Sequence, residues 1–205
     1  MRAMLAVMSG LALAGCSVVG IRTGLEEPPF TVVQRLGDLE IRQYGPRIAA
    51  QVTVDGDEDS SRNAGFRKVA GYIFGDNQAS TKIAMTAPVA QSSEKIAMTA
   101  PVAQARTDAG WTIRFFMPSQ YTMQTLPKPN DPDVKLVEVP GQTMAVLRYT
   151  GFIGADTVAT QRARLLALLK SSPYTAQGEP ISWFYDPPWT IPFLRRNEVA
   201  VQVTQ

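Results

Sequence analysis

Period-two alternation of apolar residues recurs along most of this chain, and no other feature restricts its fold as tightly. Ile48, Ala50, Val52 and Val54 lie on one face of a segment, with Gln51 and Thr53 opposite. Trp111, Ile113, Phe115 and Met117 alternate with Thr112 and Arg114; Met144 and Val146 lead towards Tyr149; Val199, Val201 and Val203 repeat the pattern near the end. Such alternation marks strands with one face buried. Residues 31–36, 39–44, 134–139 and 182–185 read as further strands, with turns at Gly37-Asp38, Gly45-Pro46 and Pro140-Gly141. Two segments switch to helical spacing. Phe66, Val69, Ala70 and Ile73 fall at i, i+3, i+4 and i+7, with Ser60 or Ser61 as N-cap and Gly75 as terminator. Asp156 can cap a second helix running to about Lys170, with Val158, Leu165, Leu166 and Leu169 inside and Ser171-Ser172-Pro173 as its stop. One α+β domain of two similar halves follows, an antiparallel sheet closed or nearly closed with helices packed outside. The proline-rich stretch 126–133 reads as an exposed loop linking the halves.

Composition removes several chemistries. The chain contains no histidine, so Ser-His-Asp and Cys-His catalysis and imidazole ligation of zinc or heme are excluded. With 45% hydrophobic and 19% charged residues it is globular, not disordered. The net charge of +2 comes with no basic stripe able to track phosphates, which argues against nucleic acid as a partner.

The single cysteine, Cys16, closes an apolar run that follows Met1-Arg2 and ends in Leu13-Ala14-Gly15. That run falls short of the about 20 apolar residues a spanning helix needs, and its layout is that of an export signal. It resembles the lipobox of bacterial lipoproteins, which implies a signal peptide over 1–15 and acylation of Cys16. The expected partner is then a lipid bilayer. Ser17, in lipoproteins of this kind, favours the outer membrane, facing the periplasm of a bacterial cell envelope. Residues 16–29, with Gly20, Gly24 and Glu26-Glu27-Pro28-Pro29, read as a tether to a domain over 30–205. An acylated Cys16 leaves no thiol for a disulfide, a metal site or a nucleophile.

Lys82-Ile83-Ala84-Met85-Thr86-Ala87-Pro88-Val89-Ala90-Gln91 recurs verbatim as 95–104, offset by 13 residues. Ile96, Met98, Ala100 and Val102 of the second copy share one side. Either both copies pair as strands, or one is core and the other an extended loop. With Glu40-Ile41-Arg42-Gln43-Tyr44, Gly65-Phe66, Tyr72-Ile73-Phe74-Gly75-Asp76-Asn77, Tyr149-Thr150-Gly151-Phe152, Tyr185-Asp186-Pro187-Pro188-Trp189 and Arg195-Arg196-Asn197-Glu198-Val199, the repeat makes the chain resemble the SOUL heme-binding family. That resemblance runs over nearly the whole chain after 27. It implies a distorted antiparallel β-barrel of two similar halves flanked by two α-helices, binding heme or a related tetrapyrrole with no established reaction.

The resemblance places an apolar platform on the first helix, at Phe66, Val69, Ala70 and Ile73; Asn63 and Gly71 stand where relatives carry basic residues, and Arg62, Arg67 and Lys68 lie close by but out of step, Arg67 being the candidate cation. Without histidine, heme would be held non-covalently, with Met85 or Met98 of the repeats as possible thioether ligands. Met117, Met123 and Met144, or the phenols of Tyr44, Tyr72 and Tyr149, are the remaining groups of those types. Arg195 and Arg196 either clamp propionates or brace the loop after Pro187-Pro188 against Glu40 or Asp186. Trp183, Trp189 and Phe193 read as core or loop packing. The expected function is an anchored lipoprotein that carries or buffers heme. The alternatives are a structural or partner-binding envelope lipoprotein, or a hydrolase with Glu40, Glu138 or Glu198 as a raised-pKa base opposite a tyrosine.

Overall fold

A computed structural model describes residues 20, 22, 24–79 and 93–205. Among the described residues, eleven strands and two α-helices follow in the order β1 (Phe30–Leu36), β2 (Leu39–Tyr44), β3 (Arg47–Val54), α1 (Glu58–Ile73), β4 (Asn77–Gln78), β5 (Val102–Thr107), β6 (Gly110–Phe116), β7 (Lys128–Pro129), β8 (Lys135–Val139), β9 (Gln142–Tyr149), α2 (Ala155–Leu169), β10 (Thr175–Phe184) and β11 (Asn197–Thr204). Nine strands form one antiparallel sheet in the order β1-β2-β9-β11-β10-β5-β6-β3-β8, and β4 pairs only with β7. The sheet stays open between β1 and β8. The expected α+β architecture of a distorted barrel with two flanking helices therefore holds. Its halves interleave, however: β1 and β2 join the C-terminal strands β9, β10 and β11, while β3 crosses to β6 and β8.

Strand parity assigns each residue to one of two faces. Val199, Val201, Ala145, Leu147, Leu39 and Ile41 face α2 and meet Leu165 and Leu169. Ala50, Val52, Ile113 and Phe115 face α1 and meet Val69, Tyr72 and Ile73. The opposite, concave face holds Tyr44, Ala49, Phe116, Met144, Val146, Trp183, Tyr185 and Ala200. The centre of the sheet is thus buried on both sides, where alternation had led us to expect burial on one.

Several local expectations change. Asp57 caps α1 by accepting from the backbone N–H of Asp59 and Ser60 at 3.0 and 2.9 Å, because its carboxylate precedes the two serines expected in that role. Gly75, with φ of +119°, follows the helix as expected. Gly154 occupies the N-cap of α2 without a side-chain bond, which puts Asp156 inside the first turn. Strand β10 begins at Thr175 instead of 182, its early register being broken by a bulge between Gln177 and Ile181 that hides the alternation. The stretch 126–133 is not simply exposed: Leu126 is buried, the Pro127 carbonyl accepts from the Tyr72 hydroxyl at 2.9 Å, and Lys128-Pro129 forms β7.

The first repeat copy lies outside the described residues. In the second, Ile96 is buried, but Met98 on the same expected side is 37% exposed, and regular pairing starts only at Val102. The tether also differs from expectation between 22 and 29. Arg22 donates to both oxygens of Asp186 at 2.7 and 2.6 Å, Glu26 bridges Thr99, and Leu25 packs on the central cluster. Cys16 and residues 1–15 lie outside the described residues.

Gly65 sets the distance between α1 and the sheet. A Cβ there would stand 2.8 Å from Cγ1 of the fully buried Ile113. Gly65→Val is therefore expected to destabilise the chain by about 1–3 kcal/mol through overpacking. Thermal melting checks this, and an unchanged midpoint would show that the helix can shift outward freely.

Candidate functional site

The concave face carries an ionic cluster built from distant strands. Glu198 of β11 is fully buried. Arg42 of β2 meets it with two bonds, Nη1 to Oε2 at 2.8 Å and Nη2 to Oε1 at 3.1 Å. Arg196 Nε donates to Glu198 Oε1 at 3.0 Å, and the Tyr185 hydroxyl donates to Oε2 at 2.8 Å. The N-terminal segment closes the cluster from above: Glu27 accepts from Arg196 Nη1 at 3.0 Å, and Phe30 lies over the Arg42 guanidinium at 4.4 Å. Burial alone would raise the Glu198 pKa, but the two arginines and the tyrosine hydroxyl outweigh it and hold the carboxyl below its ordinary value. Burial, followed by the neighbouring carboxylate, pushes the Tyr185 phenol well up. The expectation of Glu198 as a raised-pKa base is corrected accordingly, since a buried carboxylate with two cationic partners stays ionised.

Beside this cluster the deep recess between the halves is filled. Phe30, Tyr44, Phe116, Trp183 and Tyr185 leave a void of about 10 Å³. The room lies instead at one end of the sheet, in an open cleft of about 600 Å³. Its walls are the β2–β3 turn at Pro46, the β8–β9 turn at Val139-Pro140, the end of β6 from Phe116 to Ser119, Tyr121, and the docked segment 26–29. Pro28, Pro29, Pro46, Pro118 and Pro140 supply much of the rim. Fixed φ at these positions keeps the mouth in place without a ligand. The volume falls in the range of about 300–1,000 Å³ typical of small-molecule sites.

Arg47 is the cation of this cleft. Its guanidinium is held between the rings of Tyr44 and Phe116, 4.6 Å from each centroid. Nε and Nη1 are buried and find no hydrogen-bond acceptor. Burial lowers the Arg47 pKa, opposed by the nearby Tyr44 phenol. A buried donor without a partner costs stability, and one set at a cleft wall is suited to an incoming anion. Arg47 was missed in the sequence because it opens an apolar strand next to a turn. Its parity with the fully buried Ala49 was the available signal.

The residues expected to form the site are not brought together. Val69, Ala70 and Ile73 face the core, Phe66 stands on Phe115 with centroids 5.6 Å apart, and Arg67 is exposed on the helix. Met98 sits outside the cleft lining and Met85 outside the described residues. Arg195 donates to the carbonyls of Thr190 and Pro188 at 2.7 and 2.6 Å, and Arg196 is occupied by Glu27 and Glu198. Of the sulfur candidates, Met117 lines the cleft, and so does Glu138 of the acidic ones. Trp183 is core, whereas Trp189 and Phe193 are on the loop between β10 and β11 and largely exposed.

Comparison with known proteins agrees with this architecture. The chain is 30% identical to heme-binding protein 2 of Mus musculus over 83% of its own length and 80% of the mouse protein. It is 32% identical to heme-binding protein 2 of Homo sapiens over 65% of its length and 62% of the human protein. Among solved structures, the C-terminal domain of EcmrR covers 82% of this chain and 97% of its own, with a TM-score of 0.52 at 12% identity, a likeness of fold alone. The profile described as SOUL heme-binding protein matches residues 25–202, and the chain belongs to that family.

Proposed function

We propose that this chain is a lipid-anchored binding protein of a bacterial cell envelope that takes heme or a related tetrapyrrole non-covalently, for carriage or buffering. The observation that carries the reading is the Arg47 guanidinium on the cleft wall, whose Nε and Nη1 lack an acceptor, in a member of this family. Relatives named heme-binding proteins supply the ligand class. When bound, heme contributes two propionates and an iron that accepts axial ligands. Arg47 would take one propionate, while Ile48, Phe116, Met117 and Val139 offer apolar wall to the ring. Met117 is the thioether of the cleft lining, and Tyr121 its phenol. Cys16 would carry the acyl anchor, with Ser17 directing the protein to the outer membrane, facing the periplasm. A hydrolase with Glu198 as its base is disfavoured because Arg42 and Arg196 hold that carboxyl ionised.

Titrating hemin, and separately iron-free protoporphyrin, into the purified protein tests the reading. Saturable spectral shifts with both ligands at micromolar protein are expected, since the apolar wall and Arg47 act on the macrocycle and its carboxylates. Absence of any saturable shift rejects tetrapyrrole binding and leaves an envelope lipoprotein with another partner.

A further inference from the structure

The connection between β10 and β11 ends in an exposed apolar tip. Trp189 and Phe193 are 64% and 71% exposed, with Leu194 beside them. The loop after β9 adds Phe152, 67% exposed, and is tied to the same tip by the Gly151 N–H donating to the Pro192 carbonyl at 2.9 Å. Residues 187–194 contain no Asp, Glu, Lys or Arg, and neither do 149–155. The flanking charges are already neutralised or engaged: Asp186 by Arg22, and Arg195 by loop carbonyls.

Part of the tip's backbone is satisfied from within. Thr190 N–H donates to the Pro187 carbonyl, Leu194 N–H to Ile191 and Arg195 N–H to Pro192, while the Arg195 side chain takes Pro188 and Thr190. Pro187, Pro188 and Pro192 have no N–H to satisfy. Internal satisfaction of backbone groups is what a segment needs to leave water for lipid. Aromatic side chains flanked by no charge suit the headgroup–acyl boundary.

Gly20, near the N-terminal end of the described residues, lies against this tip. A Cβ on Gly20 would lie 2.8 Å from the Leu194 carbonyl oxygen, so the two segments touch. Cys16 precedes Gly20 by four residues, a span of at most about 14 Å. We propose that Phe152, Trp189, Phe193 and Leu194 seat in the interface of the bilayer to which Cys16 is anchored, so that the protein stands on the membrane by two contacts. This rests on the acyl anchor proposed above. Attachment through the tip is expected on zwitterionic lipid and insensitive to salt, because no charge takes part.

The test uses the full lipoprotein, extracted from the membrane of a bacterial host and reconstituted in phosphatidylcholine vesicles with bromine on the upper acyl chain. Trp111 and Trp183 are buried in the core, so they report little. Bromolipid is expected to quench wild-type emission, Trp189→Phe to lose that quenching, and a Phe152→Ser/Phe193→Ser variant to reduce it. Mass analysis of the N-terminal peptide reports acylation separately. Quenching lost with an acylated Cys16 overturns the seated tip and leaves the anchor standing. Quenching that survives without acylation overturns the anchor and keeps the tip as a membrane contact. Emission unaffected by bromolipid together with concentration-dependent dimers that Phe193→Ser abolishes assigns the tip to self-association and overturns the proposal.

Discussion

Glu198→Gln is expected to lower the unfolding free energy by about 3–5 kcal/mol, the usual cost of removing one partner from a buried charge set. The glutamine keeps the shape but removes the fully buried counter-charge that Arg42 and Arg196 share, leaving Arg42 with the partly exposed Glu40 and Arg196 with Glu27. The pH dependence has a definite sign. The folded Glu198 carboxyl titrates below its ordinary 4.5, so its stabilising contribution is fully present above about pH 4.5 and is lost as pH falls through the folded value. Wild type should therefore lose stability on acidification more steeply than the glutamine variant. Replacing Arg42 and Glu198 together by methionine should recover much of the loss, since Arg196 retains Glu27 and a well-packed apolar pair avoids the desolvation of two ions. Urea unfolding at pH 7 and at pH 4 measures all three effects. Equal midpoints for wild type and Glu198→Gln at pH 7 would mean that the cluster adds nothing to the fold.

That cluster also marks where the sequence stops being readable. Alternation located β2, β3, β6, β9 and β11 to within a residue or two, because parity is a local property that burial on either side preserves. It did not reveal that the second face is covered as well, so the burial of Arg42 was not legible from the alternation. Arg42 reaches Glu198 from β2, 156 positions away, and Glu27 reaches Arg196 across 169 positions, and no local pattern encodes such pairings. The helical stripe of α1 was legible, but its use was not. With Gly65 against Ile113, the helix lies close enough for Val69 and Ile73 to be fully absorbed by the sheet. The cleft is assembled from two turns, a strand end and the docked N-terminal segment, whose prolines were visible only as turn and loop markers. Trp189 and Phe193 read as core or loop packing because large aromatic residues are usually buried to a high degree; on a loop whose carbonyls Arg195 braces, they stand exposed instead.

Arg47→Met is expected to weaken porphyrin diacid binding by about 10- to 100-fold while leaving the melting temperature unchanged or higher. A charge-assisted hydrogen bond contributes about 1.5–3 kcal/mol, and each 1.4 kcal/mol is about tenfold in affinity. Methionine keeps the apolar contact between Tyr44 and Phe116 but removes a buried cation whose Nε and Nη1 have no acceptor. Binding and folding thus respond in opposite directions, which separates a ligand anchor from a structural brace. Comparing a porphyrin with its dimethyl ester gives the chemical counterpart. Wild type should prefer the diacid by the same factor that the methionine variant loses, and the variant should bind both alike, through apolar contact with Ile48, Met117 and Val139. A variant that still discriminates acid from ester would place the carboxylate on another cation. A variant that binds like wild type and melts lower would make Arg47 a packing residue, because the aromatic sandwich would then be contributing to the fold through the guanidinium itself.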